Sequence, residues 1–244
     1  MVTSLKVKKM KLLYCVRLFS GLTSSIIKES WNPQGAPTIY RFIEAVDKNN
    51  DIDSLFLFTP KGEIGIDIRS KKVIEKKIKG FYSKTFILPW LSYKTKFLRI
   101  ISEFYQVLLI VKYTIKFKPD ILYFDNSNIV SAALMQFFSN FFAYKIVVRI
   151  MGVYPAMHKL HLKKSIKNLL YLSFYKRKYD LVICTQDGSS VESWVKKTLH
   201  KKTQVKLMLN GVDLIFERLK NKKILSVKKK IKKLDFKILF VGRL

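Results

Sequence analysis

Short apolar runs alternate with longer stretches of helical periodicity through most of the chain. Some of these runs, such as Asp180–Cys184 and Tyr144–Val148, are apolar at nearly every position instead of at every second one. A strand of this kind is covered on both faces, as in parallel sheets that carry helices on each side. The alternation therefore predicts an α/β fold built on a doubly wound parallel (Rossmann-like) sheet.

The predicted elements follow directly from this pattern. The strands are Leu12–Val16, Ser54–Phe58, Thr85–Leu88, Ile121–Phe124, Lys145–Arg149, Leu181–Cys184 and Val205–Leu209. The helices are Thr38–Asp47, Tyr93–Phe117, Asn128–Phe142, Met157–Lys178 and Ser189–Lys197. Between the first strand and the first helix, Ser20–Pro37 is predicted to be a long loop.

The last residues predict a second domain. Ile238–Val241 has the pattern of a buried strand and runs into Gly242-Arg243, which is typical of a phosphate-binding turn. We expect residues 1–213 to form an amino-terminal domain, 214–235 a basic linker, and 236–244 the start of a further α/β domain. The chain is then the front half of a two-domain protein.

The net charge of the 244-residue chain is +30, most of it from lysine spread along the whole length. One interpretation is a solvated basic surface without a partner, and the other is a surface that meets anionic lipid or nucleic acid. Cys15 and Cys184 each lie in a predicted strand and are expected to be small buried hydrophobes in a reducing compartment. No apolar stretch reaches the roughly 18–20 residues that span a bilayer.

Ligands of doubly wound sheets bind outside the carboxyl ends of the strands, so polar residues and glycines there are candidate site residues. Gly35 precedes Pro37, which suits the first turn of a helix whose free N–H groups favour an anion. Asn126 lies in a polar cluster that either caps a helix or lines the cleft. Arg149 and Gly152 are placed to hold a phosphate or sugar hydroxyl, with a surface ion pair as the alternative for Arg149. Asp187 lies in the last such loop.

Two predicted helices have apolar stripes with two possible roles. The first stripe is Phe97, Ile101, Phe104, Leu108, Val111 and Ile115; the second is Leu162, Ile166, Leu169, Leu170 and Phe174. Each stripe either faces the core or, with the neighbouring lysines, lies on an anionic membrane. Neither a Walker P-loop, nor a dinucleotide-binding glycine motif, nor a nucleophile elbow is present, and the three histidines do not suggest a metal site.

The carboxyl-terminal third resembles the domain junction of glycosyltransferase family 4. The resemblance is carried, in order, by Tyr179–Thr185, then Val205–Asp213 with its Asn-Gly-Val-Asp and the following Phe216, then Ile238–Leu244. It spans about 65 residues. The loop at Gly35 and the Arg149–Gly152 segment resemble the family more loosely. The family's lysine after Gly-Arg and its paired glutamates do not occur before the chain ends.

The resemblance implies one half of a GT-B architecture, in which two doubly wound domains face each other. It further implies a retaining, sugar-nucleotide-dependent transferase without a metal or other cofactor. Its partners would be a nucleotide sugar and a glycan or lipid-linked acceptor. Gly35 and Arg243 match positions that contact the donor diphosphate, while Asn126, Arg149, Gly152 and Asp187 are acceptor or cleft candidates. No catalytic residue is assigned, and the chain by itself is expected to be inactive.

The expected role is transfer of a hexose-type sugar in surface polysaccharide or glycolipid synthesis. We expect a cytoplasmic protein, peripherally attached to the anionic inner face of the cell membrane and without a nucleic-acid partner. One alternative is a non-enzymatic basic α/β protein that binds anionic membrane or nucleic acid. Another is a different enzyme of GT-B architecture, such as an epimerase.

Overall fold

The computed structural model describes residues 8–61, 70–91, 95–139, 141–153, 155–162, 165–186 and 190–209. The strands are β1 (Met10–Arg17), β2 (Ile52–Thr59), β3 (Ile74–Lys76), β4 (Lys84–Ile87), β5 (Ile121–Asp125), β6 (Lys145–Met151), β7 (Leu181–Gln186) and β8 (Gln204–Leu209). The helices are α1 (Ser20–Ile27), α2 (Pro37–Asp47), α3 (Lys96–Phe117), α4 (Ile129–Phe138), α5 (Pro155–Leu162), α6 (Ile166–Tyr175) and α7 (Val191–Thr198). A 3-10 turn, Asn126–Asn128, joins β5 to α4.

The strands form one sheet in the order β3-β4-β2-β1-β5-β6-β7-β8. Every pairing is parallel except that of the short edge strand β3 with β4. The central strand β1 lies between β2 and β5, with Tyr14 beside both Phe56 and Tyr123. This topology confirms the predicted fold class, a doubly wound, Rossmann-like α/β sheet.

The two faces of the sheet carry separate hydrophobic cores. On one face, α1 and α2 place residues such as Leu22, Ile26 and Ile43 against β1 and β2. On the other face, α3 to α7 cover the sheet with buried residues that include Ile110, Met135, Met157, Tyr175 and Trp194. Because both faces of β1 are covered, Leu13, Tyr14, Cys15 and Val16 are all fully buried.

All seven predicted strands are present, and β3, which lies at the sheet edge, was not predicted. The predicted loop Ser20–Pro37 is wrong over its first half, because Ser20–Ile27 forms α1. The polar and small residues of this segment leave no apolar periodicity from which a helix could be predicted. Leu22 and Ile26 are nevertheless fully buried against the sheet and hold the helix in place. Cys15 and Cys184 are buried free thiols, as expected.

The predicted helix Met157–Lys178 is two helices, α5 and α6. Ser165 begins the second one, since its side chain accepts a hydrogen bond from the Asn168 amide at 3.3 Å. A serine at this position satisfies an amide that the first turn leaves without a partner, so it favours a new helix start over continuation. No helix among the described residues is long and apolar enough to cross a membrane.

Candidate functional site

The topological switch point lies at the carboxyl ends of β1 and β5. The chain passes from β1 to β2 on one side and later returns to place β5 on the other, so the connections diverge there. In doubly wound folds, ligands bind in the crevice that such a divergence forms outside the sheet. The residues that end β1, β2 and β5 are Arg17, Thr59 and Asp125, all of them polar.

Asp125 joins the two strands that flank the crevice. Its Oδ2 accepts a hydrogen bond from the Arg17 amide at 2.6 Å, and its Oδ1 accepts from the Asn128 amide at 3.1 Å. Asn128 Nδ2 also donates to Oδ1, at 2.9 Å. Burial raises the pKa of Asp125, whereas the hydrogen bonds from Arg17 and Asn128 and the nearby Lys61 ammonium oppose the rise. The carboxylate thus clamps the end of β1 to the turn that follows β5.

Asn128 extends this network to the second strand. Its Nδ2 lies 3.1 Å from Thr59 Oγ1, and Thr59 Oγ1 in turn donates to the Val16 carbonyl at 3.2 Å. Both side chains are fully buried. The ends of β1, β2 and β5 are therefore held together by side chains as well as by the sheet.

Lys61 places a buried positive charge beside the same turn. Its Nζ donates to the Ser127 carbonyl at 2.8 Å and lies 3.2 Å from Glu103 Oε1 of α3. The side chain of Lys61 is 10% exposed and that of Glu103 is 28% exposed. The pair fixes the amino-terminal half of α3 against the turn that follows β5.

Two arginines near the crevice each carry a buried Nε donor. The Nε atoms of Arg17 and Arg149 are buried and have no hydrogen-bond acceptor among the described residues. Arg149 aligns in register with Asp125 and Ile183. Burial raises the pKa of Tyr123, and the charge of the Arg149 guanidinium together with its side-chain hydrogen bond to the Tyr123 hydroxyl opposes the rise. Buried donors without acceptors are suited to an anionic ligand.

The predicted glycines adopt the conformation that favours glycine. Gly35 has φ of 76° and Gly152 has φ of 71°. Gly35 is exposed on the loop between α1 and α2, and α2 begins at Pro37, as the sequence indicated. Ala36 is the N-cap residue of α2, and its methyl side chain offers no hydrogen-bond acceptor to the amides of the first turn.

The structure places Asn126 directly after β5 and Arg149 within the neighbouring strand β6. Asn126 is half-buried and directly follows Asp125, which pairs with Arg149. Arg149 lies two residues before the end of β6, because the strand continues to Met151. Asp187 and Arg243 lie outside the described residues. In the part of the chain that the structure describes, no cluster of His, Cys, Asp and Glu is suited to hold a metal ion.

Sequence reasoning missed Arg17, Thr59, Lys61, Asp125 and Asn128 as a connected group. Each follows an apolar run directly or within four residues, so a polar residue at a strand end was the available signal. What the sequence does not contain is the strand order, and only that order places β1 beside β5. Without it, Arg17 and Asp125 are unrelated positions 108 residues apart.

An open cleft of about 810 Å³ lies at the opposite, amino-terminal end of the strands, lined in part by Asp47, Ser83 and Lys84. The Asp47 carboxylate already accepts hydrogen bonds from the amides of Tyr82 at 3.0 Å and Ser83 at 2.7 Å. This carboxylate serves to hold the loop before β4. The carboxyl-end crevice therefore remains the candidate site.

No family model and no curated protein sequence matches the chain. Among solved structures, a sucrose-phosphate synthase from Thermosynechococcus elongatus has a TM-score of 0.55 at 12% identity over 82% of this chain. The chain spans 48% of the length of that synthase. A second structure of the same enzyme has a TM-score of 0.50 at 12% identity, with 90% of this chain and 95% of that one covered.

A UDP-GlcNAc 2-epimerase from Neisseria meningitidis bound to UDP-GlcNAc has a TM-score of 0.46 at 14% identity, over 92% of this chain and 53% of that one. A score at this level supports no argument about shared architecture. The two synthase structures show a shared Rossmann-like fold. The resemblance to glycosyltransferase family 4 remains a prediction from the sequence.

Proposed function

We propose that the described domain is the acceptor-side half of a glycosyltransferase that uses a nucleotide-sugar donor. The observation that carries the proposal is that two guanidinium Nε atoms, that of Arg17 at the end of β1 and that of Arg149 near the end of β6, are buried without an acceptor among the described residues. Arg17 ends β1 at the switch point, and Arg149 lies one strand beyond β5, at the same end of the sheet, which is where a ligand of this fold would bind. The shared fold with a sugar-synthesising enzyme and the family 4 resemblance point in the same direction.

The chemistry of sugar transfer requires the groups that this site offers. When the glycosidic bond to the donor breaks, negative charge develops on the departing nucleoside diphosphate. Guanidinium groups and backbone N–H groups aimed at that charge lower the barrier. Gly35, before the uncapped first turn of α2, is the position where a diphosphate could approach the backbone closely.

The finer assignments belong to the same proposal. The transferase is of the family 4 type, acts with retention and without a metal ion, and transfers a hexose-type sugar. The acceptor is a glycan or lipid-linked molecule of surface polysaccharide or glycolipid synthesis, used at the inner face of the membrane. Asp187 is a further acceptor-side candidate, and Arg243 is the second donor-diphosphate contact besides Gly35.

The test is transfer of labelled hexose from a panel of nucleotide sugars by the full-length protein. We expect saturable transfer, and Arg149→Ala should reduce kcat/KM by about 100-fold because one buried donor to the developing charge is lost. Lys145→Ala is the matched control, since Lys145 is exposed at the other end of the same strand and should leave turnover unchanged.

The melting temperatures of both variants are compared with that of the wild type, so that a loss of activity caused by unfolding is recognised. Turnover of Arg149→Ala at the wild-type rate would remove Arg149 from the site. Absence of transfer from every nucleotide sugar, together with steeply salt-dependent binding to DNA or anionic vesicles, would contradict the proposed function. The non-enzymatic polyanion-binding alternative would then be preferred.

A further inference from the structure

Helix α3 carries its apolar stripe on the face that points away from the protein. Ile110 and Val107 face the core and are buried, whereas Phe97, Ile100 and Phe104 are 71%, 69% and 60% exposed. Positions 97, 100, 104, 108 and 115 follow one side of a helix with 3.6 residues per turn. The core interpretation of this predicted stripe is therefore wrong for most of its members, which lie in solvent.

Helix α6 repeats the arrangement. Leu172 and Tyr175 face the core, while Ile166, Leu169 and Leu170 on the other side are each more than half exposed. Within the predicted stripe of this segment, Phe174 is the exception, since it packs against the core cluster. An exposed apolar stripe of this size on two helices is unusual for a surface that meets only water.

The outward faces of the two helices lie on the same side of the molecule, and we call them together the α3–α6 face. It comprises Phe97, Ile100, Ile101, Phe104, Leu108, Ile166, Leu169 and Leu170. Both helices pack on the same side of the sheet and both contact α4. Glu103 of α3 lies close enough to Tyr171 of α6 to add to the burial-driven rise in the tyrosine pKa.

Negative charge on this side of the molecule is already engaged. The acidic residues between positions 95 and 186 are Glu103, Asp120, Asp125 and Asp180. Glu103 pairs with Lys61, and the three aspartates accept hydrogen bonds from the amides of Lys11, Arg17 and Ile146. The exposed lysines of the same segments, among them Lys112, Lys116 and Lys176, outnumber these four acidic residues.

We propose that the α3–α6 face inserts its apolar side chains into the interface of an anionic lipid bilayer, with the flanking basic residues on the headgroups. The proposal rests on the proposed function in that a lipid-linked acceptor would be met there. Apolar side chains along the outward sides of both helices, with basic residues nearby, are the pattern of interfacial helices. Two chains that each carry a net charge of +30 repel one another, which disfavours a second copy as the occupant. A nucleic acid is also disfavoured, because exposed apolar side chains do not suit a phosphate backbone.

The contacts of Lys61 place this face next to the candidate site. Lys61 joins Glu103 of α3 to the Ser127 carbonyl, and Ser127 lies in the turn directly after Asp125. The amino-terminal half of α3 is thus beside the switch point. A bilayer on the α3–α6 face would hold its surface close to the crevice in which the acceptor is proposed to bind.

Flotation of the full chain with vesicles tests the proposal. With phosphatidylcholine vesicles that contain phosphatidylglycerol, we expect binding that Phe104→Glu weakens by at least about tenfold, since a carboxylate would replace an inserted ring. Tyr82→Glu is the matched control, because Tyr82 is 81% exposed but lies in the loop before β4, away from α3 and α6. Equal binding of Phe104→Glu and wild type would overturn the proposal.

Insertion is measured separately from charge attraction with an environment-sensitive dye on Phe104→Cys. Labelling is selective because Cys15 and Cys184 are buried. We expect the dye emission to shift to shorter wavelength on anionic vesicles, and the same dye on Tyr82→Cys to remain unchanged. A bound Phe104→Cys variant whose dye stays in water would overturn the proposal in favour of electrostatic attachment alone.

Three further outcomes would also overturn it. Dimers in vesicle-free solution that Phe104→Glu dissociates would identify a second copy as the occupant. Duplex DNA binding that Phe104→Glu abolishes would identify nucleic acid. Absent vesicle binding, combined with sugar transfer by the full-length protein to a water-soluble acceptor, would refute the lipid surface and leave the proposed function standing.

Discussion

At the residue scale, the polar residues at the carboxyl ends of the strands are the ones that apolar periodicity does not predict. Prediction from apolar runs ended β1, β2 and β5 one residue early, because Arg17, Thr59 and Asp125 are polar. These residues still continue the sheet, since each finds partners that satisfy its side chain or backbone at the switch point. The candidate glycine and arginine positions were predicted from residue type, but their partners depend on contacts between distant segments.

Gly21 is the position where a single methyl group should have the largest effect. A Cβ there would lie 1.7 Å from the Gln34 carbonyl oxygen, a backbone atom that cannot move aside by rotation. We expect Gly21→Ala to lower the free energy of unfolding by about 3 kcal/mol or more, because the loop that carries Gly35 would have to shift. Urea unfolding measures this change.

Gly80→Ala is the control for that substitution. Gly80 has φ of 81°, but a Cβ there would meet no atom within 4 Å. Only the backbone conformation opposes alanine, so a cost of about 1 kcal/mol is expected. If Gly21→Ala costs no more than Gly80→Ala, the close packing of the Gln34 loop on α1 is not present in solution.

At the scale of elements, strands were easier to predict than helices. A buried parallel strand is a short, continuous apolar run, and each of the seven strands predicted between residues 12 and 209 corresponds to an observed strand. β3 was not predicted because Ile74-Glu75-Lys76 is short and lies at the edge of the sheet, where apolar residues on both faces are not required. The division of α5 from α6 depends on the local capping serine, Ser165, which a search for apolar periodicity alone ignores.

The same periodicity left the orientation of α3 undecided. An apolar stripe identifies one side of a helix, but it does not say whether protein or another apolar phase covers that side. Helix α3 has apolar residues on both sides, and the side with Val107, Ile110 and Ser102 was the one that packed on the sheet. Only the structure distinguishes these two sides.

Two isoleucines of α3 provide a direct comparison of the two sides. Ile110 is fully buried, whereas Ile100 is 69% exposed. Ile110→Ala should lower the free energy of unfolding by about 3 kcal/mol, because it removes buried methyl groups and leaves a cavity. Ile100→Ala should change it by less than about 0.5 kcal/mol. Chemical denaturation in lipid-free buffer measures both, and equal costs would contradict the assigned orientation of α3.

At the scale of the whole molecule, the fold class was predictable and the strand order was not. Alternating elements with fully apolar strands lead to a doubly wound sheet by general rules of packing and handedness. Those rules do not determine the point at which the order of the strands reverses, and this reversal is what creates the site. The domain boundary at residue 213 and the start of a further domain at 236 stay predictions from the sequence.

Hydrogen exchange should follow the strand order. The amides of β1 and β5 lie in the middle of the sheet beneath helices, whereas β3 and β8 end the order of described strands. We expect exchange in β1 and β5 to be slower by a factor on the order of 100, because these amides open only with the whole domain. Mass spectrometry of peptic peptides measures this difference. Protection of β8 equal to that of β1 would show that β8 is covered in solution.

The pairing of β1 with β5 has a consequence for synthesis of the protein on the ribosome. The Lys11 amide and the Asp120 carboxylate that accepts its hydrogen bond are 109 residues apart. At roughly 5–20 residues per second, β1 emerges about 5–20 s before its second neighbour is made. During that time its apolar residues have β2 on one side and no permanent partner on the other. Nascent chains of this protein should therefore need chaperone protection until β5 has left the exit tunnel.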